Sequence, residues 1–136
     1  MKVSPAALDA IKQHAEEGYP HEICGLLLGP RGSGRVTEAA RARNTNVDRP
    51  NDRYEIDPSD MLRIQRAADD NGMDVLGYYH SHPDHPARPS RTDADAAWAG
   101  PLYLIVSCER GKVVDANAFI AQEDRGPFRD EPLELA

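Results

Sequence analysis

The residues best suited to chemistry are crowded into one stretch, Tyr79 to Asp93, which reads YHSHPDHPARPSRTD. An apolar run, Val75 to Tyr79, precedes it and predicts a strand. His80 and His82 follow, two residues apart. On an extended backbone, side chains at i and i+2 point to the same face, so both imidazoles can converge on one ion. Pro83, Pro86 and Pro89 stiffen the loop beyond them. Ser90-Arg91-Thr92-Asp93 then reads as a helix start with a carboxylate in its first turn. Two imidazoles and a carboxylate, with a fourth position open, form the ligand pattern of a catalytic zinc. The same residues also have ordinary uses. Ser90 fits a helix N-cap, and Asp93 fits a capping partner or a favourable charge near a helix N-terminus. His-x-His alone is weak evidence for a metal.

His80-Ser81-His82-Pro83-Asp84-His85 also matches the H-x-H-x-D-H pattern of the metallo-β-lactamase fold. That fold needs further histidines downstream, and the five in this chain are His14, His21, His80, His82 and His85, with none after His85. The chain is also short for that two-part architecture. A zinc deaminase would need H-x-E and P-C-x-x-C elements, which are absent.

With 136 residues, 40% of them hydrophobic, the sequence predicts a single domain with one real core. A formal net charge of -7 argues against nucleic acid as a partner, since backbone binding needs a basic surface. No stretch reads as a signal peptide or is long and apolar enough to span a bilayer, so the expectation is a cytoplasmic protein without a membrane partner. Cys24 and Cys108 form no C-x-x-C pair and read as two small buried hydrophobes; a bridge between them is disfavoured in a reducing compartment.

These elements must position the candidate residues. Ser4-Pro5 predicts a helix start, with Leu8, Ile11 and Ala15 on its apolar face and Gly18 to Pro20 ending it. His14 is assigned to its surface. Ile23 to Leu28 predicts a strand buried on both faces. Glu22 stands at its mouth, placed either to face solvent or to enter a site between neighbouring strand ends. Gly29 to Gly34 reads as a hairpin turn, matching neither glycine-rich phosphate-loop pattern. Arg35 to Arg43 is the returning strand. Asn44 to Asp52 is irregular, and Arg53 to Ile56 is a short strand candidate. Pro58 to Asn71 predicts a second helix with a mostly apolar stripe of Met61, Leu62, Ile64, Gln65 and Ala68. Arg91 to Ala99 predicts a third helix, and Leu102 to Cys108 and Val113 to Ile120 an antiparallel pair. The acidic residues 122–136 read as a surface-packed or flexible tail.

With Glu22, His80, His82, Ser90 and Asp93 in place, the sequence closely resembles the JAMM, or MPN-plus, zinc metallopeptidases of short prokaryotic type. The signature is an upstream glutamate, His-x-His-Pro, seven residues between the second histidine and a serine, two more residues, and an aspartate. Here it reads Glu22, His80-Ser81-His82, Pro83 to Pro89, Ser90, Arg91-Thr92, Asp93. The resemblance covers nearly the whole chain and the combined motif is specific. It implies a single α/β domain, a curved mixed sheet flanked by helices, cytidine-deaminase-like in outline. It implies one catalytic Zn2+ on His80, His82 and Asp93, with Glu22 as general base and Ser90 as oxyanion stabiliser. The implied activity is hydrolysis of a peptide or isopeptide bond after the C-terminal diglycine of a ubiquitin-like protein, such as a sulfur carrier, by extension removal or cysteine release. A scaffolding MPN module and a zinc amidase acting on a small molecule are the alternative functions.

Overall fold

In the computed structural model, which describes residues 1–136, the Ser4 hydroxyl accepts the Ala7 N–H at 3.1 Å and starts helix α1 (Pro5–Gly18). The short strand β1 (Lys2–Val3) precedes it. Strand β2 (Cys24–Pro30) follows, then β3 (Arg35–Val36) and β4 (Glu38–Ala42). Helix α2 (Pro58–Asp70) leads into the long strand β5 (Met73–Pro83). Helix α3 (Arg91–Ala96), strands β6 (Leu102–Glu109) and β7 (Lys112–Ala121), and the short β8 (Phe128–Glu131) and β9 (Glu134–Leu135) complete the chain.

Six strands form one sheet in the order β4-β2-β5-β6-β7-β8, and β3-β1-β9 form a small second sheet. Only β5 and β6 run parallel within the large sheet. Parallel neighbours need a crossover rather than a tight turn. Here residues 84–101 make that crossover, so the proline-rich loop and α3 rise from the carboxyl end of β5. Ligand sites in sheets of this kind gather at such ends.

The sheet is covered on both sides. Leu8, Ile11 and Ala15 of α1 pack with Leu27, Tyr79, Leu104 and Val106 on one face. Ile64 and Ala68 of α2 pack with Cys24, Leu26 and Leu28 on the other. β2 is thus sandwiched, as its unbroken apolar run requires. A bulge sets which face β5 presents. Leu27 pairs with Gly77 but Leu28 pairs with Val75, leaving Leu76 as an extra residue. Met73 and Val75 face α2; beyond the bulge the parity shifts, and Tyr78 and His80 share that face while Tyr79 enters the α1 core. A bulge that re-aims side chains is a recurrent device beside functional sites.

Several local expectations need correction. His14 is not a surface residue: it is 9% exposed, and its Nδ1 lies 2.8 Å from the Tyr79 hydroxyl. Arg53 to Ile56 is not a strand; only an isolated bridge joins Asn44 to Ile56. α3 ends at Ala96 because Ala97 turns to extended backbone and the Trp98 N–H donates to the Tyr103 hydroxyl. On α2, Leu62 is exposed and Asp60 is buried instead, its carboxylate accepting from the backbone N–H and guanidinium of Arg43. Cys24 and Cys108 are both buried and unbridged. No helix is long and apolar enough to cross a membrane. The residues at the C-terminal end pair through β8 with β7 and through β9 with β1.

Candidate metal centre

The last turn of extended chain in β5 brings His80 and His82 to the rim of the sheet. Each is held differently. His82 Nδ1 lies 2.8 Å from the Pro86 carbonyl. A carbonyl only accepts, so Nδ1 carries the hydrogen and the Nε2 lone pair is turned inward. The His80 ring is 1% exposed and lies face to face with Tyr54. Asp93 arrives from the first turn of α3. Ser90 caps that helix: its hydroxyl accepts the Asp93 N–H at 3.0 Å, and Asp93 Oδ2 accepts the Ser90 N–H at 2.8 Å.

Three donor atoms converge as a result. His80 Nε2 and His82 Nε2 are 3.1 Å apart, and Asp93 Oδ2 is 3.3 Å from the first and 3.0 Å from the second. Tetrahedral ligands at the usual zinc–nitrogen and zinc–oxygen bond lengths stand about 3.3 Å from one another. The donor set and its spacing therefore fit a zinc ion.

Glu22 enters from the neighbouring strand. Cys24 pairs with His80 across β2 and β5, and just beyond that pair the Ser81 N–H donates to the Ile23 carbonyl while the Ser81 hydroxyl accepts the Ile23 N–H. The loop between β4 and α2 closes over it. The Glu22 N–H donates to the Pro50 carbonyl, and the Asn44 amide donates to the Glu22 carbonyl. Glu22 is 4% exposed, and its donor oxygen lies within 4.8 Å of those of both histidines. Its Oε1 is buried without a hydrogen-bond partner, as is His80 Nδ1. Two carboxylates thus flank one histidine pair. Asp93 Oδ2 is in direct contact with both Nε2 atoms, whereas Glu22 stands further back with an oxygen unpaired, so the contact distances favour Asp93 as the closer donor.

The surroundings push the two carboxylates apart. Burial raises Glu22 to about 8; Asp93 and Asp52 add to this and His82 opposes it. Burial also acts to raise Asp93, but the adjacent imidazoles override it and hold that carboxyl far below the usual range. His80 is lowered, chiefly by burial. For His82 burial works downward, and the Asp93 and Pro86 hydrogen bonds outweigh it to give a net rise. Carboxylates driven in opposite directions are how one site keeps an anion and a proton carrier side by side.

Two depressions open onto this centre. One, of about 360 Å³, is apolar and aromatic, walled by Tyr54, Ile56, Met61, Tyr78, Trp98 and Tyr103. The other, of about 430 Å³, is lined by charged and polar side chains together with Pro86 and Pro89, and contains Glu22, His82 and Ser90. Arg53 and Thr92 line both. His85 faces the polar one and stands outside the donor triangle. Tyr54, Asn44 and Arg53 are site residues that the motif does not reveal; an isolated aromatic and a turn-forming asparagine in a polar stretch were the available signals.

The sequence model of the family described as prokaryotic homologs of the JAB domain matches residues 4–120. This chain belongs to that family. As a JAB-family protein it shares 38% identity over 112 residues with a desampylase of Haloferax volcanii, spanning 79% of this chain and 80% of the relative. It shares 37% over 101 residues with a CysO-cysteine peptidase of Mycobacterium tuberculosis, spanning 74% and 68%. The solution structure of a Salinibacter ruber protein superposes with a TM-score of 0.77 at 40% identity, covering all of this chain and 92% of the other. The JAMM/MPN resemblance and the mixed α/β fold are thus borne out, and with its Glu/His/His cluster the JAB-family chain is a zinc metallohydrolase.

Proposed function

We propose that this JAB-family enzyme hydrolyses the peptide or isopeptide bond after the C-terminal diglycine of a ubiquitin-like protein, a sulfur carrier being the partner class. The observation that carries the reading is the three-donor convergence of His80, His82 and Asp93 with the buried, unpaired Glu22 carboxylate beside it. Relatives named desampylase and CysO-cysteine peptidase support the substrate class.

His80, His82 and Asp93 would hold the metal. Zinc bound there supplies a Lewis acid for the scissile carbonyl and lowers the pKa of the attacking water. Glu22 would take the proton from that water and return it to the departing amine, a double duty suited to a carboxyl raised toward neutrality. Ser90 accepts from Asp93 through its oxygen but keeps its own O–H free to donate to the oxyanion. Glycines in the tail lack a Cβ and allow a close backbone approach to the centre, and an extended tail can pair as an added strand.

The test is intact-protein mass of tagged ubiquitin-like carriers, before and after incubation with zinc-loaded enzyme. The expected result is loss of the extension at the glycine and about one zinc per chain. No cleavage across a broad carrier panel would overturn the assignment.

A further inference from the structure

We infer that Ser107 and Asn117 are positioning residues of the metal centre. They fix the peptide units on either side of Pro86, and through its carbonyl they aim His82. The inference rests on His82 as a metal donor and not on the identity of the substrate.

The loop that carries Pro86 cannot support itself. Pro86 and Pro89 have no N–H to donate, and the His85 N–H reaches the His82 carbonyl only at 3.5 Å. The ends of the loop are tied elsewhere. The Asp84 N–H donates to the Cys108 carbonyl at 2.8 Å, and the Ser90–Asp93 capping box closes the other end. Between them, three successive carbonyls find three different elements. That of His85 accepts the Ser107 hydroxyl at 2.6 Å. That of Pro86 accepts His82 Nδ1–H at 2.8 Å and the Arg88 N–H at 2.9 Å, which occupies both of its lone pairs. That of Ala87 accepts the Asn117 amide at 3.1 Å.

The positions of the two sheet donors suit this role. Ser107 interrupts the apolar run of β6, is 2% exposed and pairs in register with His82. Burying a hydroxyl in such a strand is unfavourable unless it is hydrogen-bonded, and its acceptor is the loop. Asn117, on β7, stands opposite Ile105, two residues before Ser107 on β6. Asp115 Oδ2 accepts from the same Asn117 nitrogen at 3.1 Å. Both partners of that nitrogen can only accept, which orients the amide with its NH2 toward the loop. Buried Ala87 packs on Ile105 and Phe119, in apolar contact with both strands. The Pro86 carbonyl is thereby held from both sides, and with it the ring that must present Nε2 to the metal. Hydrogen-bond partners of a ligating histidine set how tightly it binds.

The test uses zinc-loaded protein and two readouts besides turnover: zinc affinity by chelator competition, and solvent exchange of the His82 Nδ1 proton by NMR. Ser107→Ala and Asn117→Ala should each weaken zinc binding by about three- to tenfold, and the double variant by about 10- to 100-fold. The His82 Nδ1 proton should exchange about tenfold faster in the double variant. Ser107→Thr keeps the hydroxyl and should stay within about twofold of the wild type. Ser4→Ala controls for stability alone. It removes the cap of α1, so its unfolding midpoint should fall with both readouts unchanged. If the double variant does not fold, the two single variants carry the same comparison. A lowered midpoint with wild-type zinc affinity and proton exchange would make Ser107 and Asn117 ordinary fold contacts and overturn the inference. His82→Ala reads the donor set separately. Wild-type zinc affinity there removes His82 as a ligand and the inference with it, whereas weak zinc there with unaffected Ser107 and Asn117 variants removes the positioning role alone.

Discussion

Tyr54 lies flat over the His80 imidazole, with ring centroids 4.4 Å apart and planes 23° from parallel. Tyr54 comes from the loop that also clamps Glu22, so one segment seals the histidine and seats the second carboxylate. Offset stacking of this kind is worth roughly 0.5–1.5 kcal/mol beyond area burial. Tyr54→Ala should speed zinc loss to a chelator by about three- to tenfold, and Tyr54→Phe should behave like the wild type, because the hydroxyl has no partner in the chain. Equal zinc off-rates in all three proteins would show that the stacked ring does not hold His80.

His80→Ala, His82→Ala and Asp93→Ala should each lower zinc content and hydrolysis together. Asp93→Ala carries an added cost, because it removes the acceptor of the Ser90 N–H in the capping box; a lost cap costs roughly 1 kcal/mol. His85→Ala should be far milder, as its ring lies outside the donor triangle. Elemental analysis with unfolding midpoints checks the set. Full zinc occupancy in all three variants would mean that other residues are the ligands.

Much of this site was legible because its parts are close in sequence. His80 to Asp93 spans one strand end, one loop and one helical turn, and strand period and cap chemistry act over such distances. Glu22 was legible only as a charge at the mouth of an apolar strand; its burial comes from pairing with β5 and from the loop anchored by Asn44. That loop looked partly like a strand because Arg53 to Ile56 has suitable residues. Instead the Asn44 side chain takes the Glu22 and Arg53 carbonyls and accepts from Asn46 and Glu55, replacing a ladder. The bulge at Leu76 had no local signal, since register depends on a partner strand almost fifty residues away. His14 was misplaced for the same reason: its partner, Tyr79, is distant in sequence.

His14 gives a pH prediction. Burial lowers it from 6.5 to about 4, with Arg41 adding to the effect and Glu17 opposing it. The folded value lies below the unfolded one, so the contribution to stability is present above 6.5 and is lost as pH falls toward 4. Between about pH 7 and about pH 4.5 the wild type should lose roughly 2 kcal/mol more than His14→Gln. Glu22 has the opposite sign in the metal-free protein, its stability contribution falling as pH rises toward 8, and it is common to both proteins. Urea unfolding at the two pH values reads the difference, and parallel losses would mean that His14 is not held neutral.

Glu22→Gln separates a proton carrier from a ligand. The substitution keeps the size of the side chain and removes its negative charge and basicity. In the proposed mechanism the metal stays on His80, His82 and Asp93, so zinc content should match the wild type. Hydrolysis should fall by about 10²–10⁴, the range for a positioned acid–base group. Tail binding should persist, because the substitution leaves the proposed metal ligands and the other lining residues of both cavities in place. Burial penalises the Glu22 carboxylate, so the neutral amide should also leave the metal-free fold no less stable at neutral pH. Zinc analysis, calorimetry and turnover by mass read the three quantities independently. Wild-type turnover would remove Glu22 from the mechanism even in a zinc enzyme. Loss of zinc would instead make it a ligand, with Asp93 reduced to a capping residue beside the metal.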